Sequence, residues 1–179
     1  DTPVSEEGVT GMCIGAALNG MRPIVIHPRM DFAILAFNQL VNQAAKWSHM
    51  FGGQTRVPMT ARLIINRGGE QGAQHSQALH SWLCHIPGLR VVMPYSPQDA
   101  RDLLIAATLN NDPVVYIDDR WLYENKEEVS PVKELDLKSE GPLCLQSGDK
   151  ITLVGAGYST HLCMRAAESL KSKKINCEV

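Results

Sequence analysis

Short β-branched runs alternating with stretches of helical spacing constrain this 179-residue chain more than any other feature. Residues 23–26, 58–65, 89–93 and 114–117 read as strands, and residues 6–19, 31–50, 75–85 and 96–109 as helices. Gly20, Gly52-Gly53, Pro87-Gly88 and Asn110-Asn111-Asp112-Pro113 punctuate them. Few hairpin turns intervene, so the expected architecture is α/β: a mainly parallel sheet flanked by helices.

Within that frame, Gly8, Gly11 and Gly15 fall near one face of the first helix, which predicts close approach of another backbone. Asp31 is placed to cap the second helix, with Ile34, Phe37, Val41, Ala44 and Ala45 as its inward stripe. Its other face is apolar as well, as in helices buried between layers or at a subunit interface. The text changes at 124–148, which is charged, carries Pro131, Gly141 and Pro142, and reads as a linker. A strand over 150–154, a Gly155-Ala156-Gly157 turn and a helix over 159–173 follow, with Leu162, Ala166 and Leu170 inward. A last strand starts at Ile175. One βαβ unit cannot bury both its faces, so this second domain is expected to be incomplete.

The composition is 44% apolar, enough for a core, and the net charge of −2 with mixed signs argues against nucleic-acid or membrane-surface partners. No apolar run is long enough to span a bilayer, and no charged-then-apolar leader opens the chain. Five cysteines without a C-x-x-C pair read as reduced thiols in a reducing compartment. His75, His80 and His85 recur every five residues, a step of about 500° on a helix, so they cannot chelate a metal together. The Val154-Gly155-Ala156-Gly157 turn hints at a dinucleotide fingerprint, but its third glycine would have to stand at Thr160. It reads as ordinary strand-to-helix packing.

The run Arg67-Gly68-Gly69-Glu70-Gln71-Gly72-Ala73-Gln74-His75-Ser76-Gln77 sets one imidazole between amides in a glycine-rich stretch. Such a segment suits a backbone that approaches a ligand and presents a proton-handling group to it. A solvated loop histidine fits the same residues equally well.

Taken in order, this loop, the Asp1-Thr2-Pro3-Val4-Ser5-Glu6 opening, Phe32, the 87–94 segment and Asn111-Asp112-Pro113 resemble one family. It comprises the β subunits of 2-oxo acid dehydrogenase E1 components, thiamine-diphosphate enzymes of the transketolase-like superfamily. The resemblance implies a pyrimidine-binding domain over 1–123 lacking its first elements, a linker over 124–148, and the start of a transketolase C-terminal domain over 149–179. The chain is thus expected to be part of a longer protein and not competent alone. Glu6 would bond N1′ of the aminopyrimidine, Phe32 would pack on that ring, Val4 would contact it, and His75 would face the substrate. From the residues alone, Glu6 is also a first-turn glutamate that suits the helix dipole, and Phe32 a core phenylalanine.

The resemblance further implies a structural potassium ion on carbonyls of Ala107, Asn110 and Asp112. Magnesium and the diphosphate would be held by an E1 α subunit in an α2β2 heterotetramer. The implied reaction is oxidative decarboxylation of pyruvate or a branched-chain 2-oxo acid, with acyl transfer to the lipoyl domain of an E2 acyltransferase. An acetoin-cleaving relative and a non-catalytic scaffold are the alternatives. The implied location is the cytoplasm in a bacterium, or the mitochondrial matrix or plastid in a eukaryote. One departure stands out: Ile26-His27-Pro28-Arg29-Met30-Asp31 replaces the acidic-aromatic segment common in the family.

Overall fold

The computed structural model describes residues 2–67 and 70–179. Four strands make the main sheet: β1 (Ile24–His27), β2 (Thr60–Ile65), β3 (Arg90–Val92) and β4 (Val114–Asp119). Their order is β1-β2-β4-β3 and every pairing is parallel, as the alternating text predicts. All four therefore point their C-terminal ends at one edge of the sheet, where open α/β folds bind ligands. β4 is buried throughout, whereas Ile24 and Ile26 of β1 are exposed, so β1 is half-buried rather than a fully buried strand.

Helix α1 (Glu6–Leu18) buries Thr10, Ile14 and Ala17 against the sheet. No backbone outside α1 among the described residues lies within 4 Å of a Cβ built at Gly11 or Gly15. A Cβ at Gly11 would meet Gln39 Cγ at 3.7 Å, and one at Gly15 would meet nothing within 4 Å. The expected long helix over 31–50 is wound three ways: 3-10 over Met30–Ala36, π over Asn38–Ala44, and α-helical in α2 (Ala45–Met50). In the 3-10 part, residues three apart eclipse one another, so Met30, Ala33 and Ala36 share the buried face. Leu40 and Ala44 continue it on the wider π turns. Of the expected inward stripe, Ala44 and Ala45 are buried and Phe37 packs on the core, whereas Val41 is only half-buried and Ile34 is exposed.

The segment over 75–85 is also less helical than its spacing suggests. Only a 3-10 turn at Ala73–His75 and the short helix α3 (His80–Cys84) form. Helix α4 (Pro97–Leu109) follows expectation, with Ser96 Oγ accepting from the Asp99 amide at 3.2 Å and Pro97 at its first position. Across the linker, Leu137 is buried on Ala106, Ala107 and Val114.

The final unit is a parallel pair, β5 (Ile151–Thr152) and β6 (Cys177–Glu178), joined through α5 (Tyr158–Lys171). Its core uses Ala167 and Cys177, with Cys163, Met164 and Leu170 packed on them. Leu162 and Ala166 are exposed, so of the three expected inward residues only Leu170 faces in. Asp119 ties this unit to β4 by accepting from Tyr158 N at 3.1 Å, while its other oxygen accepts from Trp121 N at 3.0 Å in the turn that follows β4. No helix among the described residues is long and apolar enough to cross a membrane.

Candidate active site

At the C-terminal edge, β1 hands over to His27-Pro28-Arg29 and β2 to the loop that carries His75. Phe32, in the 3-10 turn after β1, meets the His75 ring edge-on, with centroids 5.1 Å apart and planes at 87°. Phe32 is 36% exposed, so part of its ring is open rather than lost in the core. The His75 Nδ1 atom is buried and has no hydrogen-bond partner among the described residues. An unpaired buried nitrogen is costly, and a bound group that pairs with it would remove the cost.

Glu6 opens α1 and is half-buried; its carboxylate has no hydrogen bond or ion pair among the described residues. One turn on, Thr10 is fully buried, and its Oγ1 lies 3.3 Å from Nε2 of His27, itself only 3% exposed. Residues four apart on a helix lie one above the other, so Glu6 and Thr10 share the face toward the end of β1. Burial pushes the His27 imidazole below its ordinary pKa, and the charge of Glu6 opposes this without reversing it. A neutral His27 leaves Glu6 without a cation partner.

That shift has a stability consequence. The unfolded chain takes up the proton as pH falls through about 6.5, while folded His27 resists it. The stabilisation is complete above that pH and is lost as pH falls toward the lower, folded value. The melting temperature is therefore expected to drop between pH 7.5 and 5.5, and His27→Gln to remove about 2–4 °C of that drop. Parallel curves for parent and variant would show that His27 does not carry it.

Val4 is 96% exposed, just before α1 begins. Ala107, Asn110 and Asp112 lie where α4 ends and β4 begins, at the opposite edge of the sheet, about 20 Å away across a six-residue strand. There Arg22 Nη1 donates to Asn110 O at 2.7 Å and Thr108 O at 3.3 Å. Arg22 Nη2 reaches Asn111 Oδ1 at 2.6 Å, and Asn110 Nδ2 donates to Asp112 O at 3.1 Å. The chain's own guanidinium supplies the positive charge at this turn. A cleft of about 520 Å³ at the same end holds Arg90 and the Arg56–Asp112 ion pair, away from Phe32 and His75.

Three residues at the site escape the sequence reading. Asp31, expected as a helix cap, is buried and accepts from Gln77 instead; Arg29 bonds Gln71; His27 lies beneath Glu6. Their one sequence trace is the 26–31 segment that departs from the family. Gly68 and Gly69 of the glycine-rich loop lie outside the described residues, as does Asp1. Among the described residues no cluster of three or more metal-ligating side chains occurs.

Residues 1–126 match the family described as the transketolase pyrimidine-binding domain. The chain is 39% identical to the β subunit of acetoin:2,6-dichlorophenolindophenol oxidoreductase of Bacillus subtilis, covering 100% of this chain and 52% of that protein. It is 37% identical to the pyruvate dehydrogenase E1 component subunit β of Rhizobium meliloti, covering 100% of this chain and 39% of the relative. The chain thus spans about half the length, or less, of these curated relatives. Among solved structures, a split-gene transketolase described as an inactive β4 tetramer superposes with a TM-score of 0.78 at 20% identity, over 100% of this chain and 55% of that one. Motifs, parallel sheet and relatives agree: the chain belongs to the transketolase pyrimidine-binding family, with β subunits of pyruvate dehydrogenase E1 and of acetoin oxidoreductase among its kin.

Proposed function

We propose that this chain is the pyrimidine-binding part of the β subunit of a thiamine-diphosphate-dependent 2-oxo acid dehydrogenase E1, acting with an α subunit. The observation that carries the reading is the pairing of a half-open Phe32 ring with the His75 imidazole, whose Nδ1 is buried and unpartnered. Thiamine diphosphate, when bound, supplies the electron sink for cleavage next to a carbonyl. Phe32 fixes the plane of the aminopyrimidine, and Glu6 shares a proton with its N1′. Val4 is left as a minor contact at the rim. His75 gives or takes a proton at the substrate side during decarboxylation or transfer to a lipoyl group.

Magnesium and the diphosphate belong to the α partner in this reading, and the lipoyl domain of an E2 acyltransferase receives the acyl group. Residues 149–179 open the C-terminal domain. A potassium ion on the carbonyls of Ala107, Asn110 and Asp112 would have to share the Asn110 oxygen with Arg22 Nη1, which donates to it at 2.7 Å. The location follows the source: bacterial cytoplasm, or mitochondrial matrix or plastid.

The test is 2-oxo-acid-dependent reduction of a dye by the full-length protein purified with its partner, with and without thiamine diphosphate and magnesium. Cofactor-dependent turnover of pyruvate or a branched-chain acid supports the reading; none with any 2-oxo acid overturns it. Acetoin belongs in the same assay, since an acetoin oxidoreductase β subunit is 39% identical to the chain. His75→Ala should slow single-turnover decarboxylation or acyl transfer roughly a hundredfold with assembly intact. Normal rates in both half-reactions would remove His75 from the chemistry.

A further inference from the structure

Four consecutive residues, Arg29 to Phe32, each touch the loop that carries His75, and each at a different point. Arg29 donates to Gln71 Oε1 through Nε at 3.1 Å and Nη2 at 2.8 Å. The Leu79 amide donates to Met30 Sδ at 3.4 Å. Asp31 Oδ1 accepts from the Gln77 amide at 3.2 Å and from Gln77 Nε2 at 2.8 Å. Phe32 meets His75 itself.

These contacts are not equal. The Arg29 pair is exposed, and a thioether sulfur is a weak acceptor. Asp31 is only 5% exposed and makes two bonds to one residue, two positions beyond His75. Its other oxygen, Oδ2, is buried without a partner among the described residues. Keeping a half-satisfied carboxylate inside is expensive, so its retention calls for a return elsewhere.

The loop supplies the reason. Gln71 holds φ of 61° and Gly72 φ of 78°, and at a non-glycine residue such a backbone persists only where its surroundings force it. The Gln77 and Leu79 amides donate to side chains of the 30–31 turn, which keeps residues 76–79 out of a helix and sets the imidazole at the tip of a 3-10 turn.

We propose that Asp31 is a positioning residue for His75, acting through Gln77 to hold the loop against the Phe32 turn. This rests on the proposed function for its catalytic meaning but not for its structural one. Asparagine keeps the Oδ1 acceptor and loses only the charge, whereas alanine loses both bonds.

The experiment uses the full-length protein with its partner and reads two things: hydrogen exchange of a peptide covering 70–79, and steady-state kinetics. Asp31→Ala should speed loop exchange roughly ten- to a hundredfold and lower kcat by a similar factor, with KM changed by less than about twofold. Asp31→Asn should restore both to within about threefold of the parent. Gln77→Ala, made at the surface, should reproduce part of the loosening should Asp31→Ala fail to fold.

Unchanged exchange in Asp31→Ala or Gln77→Ala, an effect on KM alone, or an asparagine variant as damaged as the alanine one, would each overturn the proposal. Faster loop exchange in a protein whose parent shows no thiamine-dependent turnover would sink the proposed function and leave the positioning role standing. Unchanged exchange in an active parent would do the reverse.

Discussion

Glu6→Gln is expected to lower the turnover of the complex with the proposed α partner by about 10²- to 10⁴-fold while leaving assembly intact. Glutamine matches glutamate in size and sits in the same first helical turn, so packing of α1 on the sheet is retained. What it cannot do is exchange a proton with a ring nitrogen. The surroundings of the carboxylate support the proposed role. It is half-buried, is free of ion pairs among the described residues, and stands above a histidine that burial keeps neutral. The measurement is kcat against a 2-oxo acid at saturating thiamine diphosphate, with size-exclusion chromatography to confirm the complex. Parent-like turnover in a well-assembled variant would remove Glu6 from the chemistry and favour a scaffold role.

The second large effect falls on stability, at Gly88. Its φ is 99°, in the region that L side chains rarely adopt, and a Cβ built there would lie 2.0 Å from the Ala45 carbonyl oxygen and 2.9 Å from its carbon. The clash is with backbone at the start of α2, not with a side chain that can swing aside. Lys46 Nζ donates to Pro87 O at 2.5 Å, so the turn is also anchored to that helix on its other side. Strain and overlap together should cost roughly 3 kcal/mol or more for Gly88→Ala, a large share of a domain's stability. Gly141→Ala is the control: nothing lies within 4 Å of its Cβ and its φ is ordinary. It should shift stability by less than about 0.5 kcal/mol. Denaturant melts of the two variants decide the matter, and a Gly88→Ala midpoint matching that of Gly141→Ala would mean the turn moves away without cost.

The sheet was legible because each strand is a β-branched run closed by glycine or proline, and period alone separates it from its neighbours. Helix α4 was legible for a similar reason, since Ser96-Pro97 announces its start. The winding of 30–44 was not. Ile34, Leu35 and Phe37 are as apolar as the residues that are buried, so no polar face marks the change from three residues per turn to more than four. Asp31 misled in a related way. Aspartate before an apolar run is a good helix cap by its local chemistry, but here its oxygen is taken by Gln77, 46 residues on. The same bonds kept 76–79 from becoming the helix that its spacing suggests. Of the site, His75 was flagged by its glycine-rich surroundings and given a role by family resemblance, Phe32 was readable only through that resemblance, and the two rings are in contact. His27, Arg29 and Asp31 carry no motif; what they do depends on partners far along the chain.

The Arg29–Gln71 and Asp31–Gln77 bonds close spans of 42 and 46 residues. Such bonds have no lasting partner until β1 and β2 lie side by side, because closing so long a loop is unfavourable on its own. The imidazole is therefore expected to be set in place late during folding, after the sheet, and to be released early when the protein warms. Activity should fade below the temperature at which the sheet melts, so an inactive sample that still gives a folded circular-dichroism spectrum is the expected first stage of its ageing.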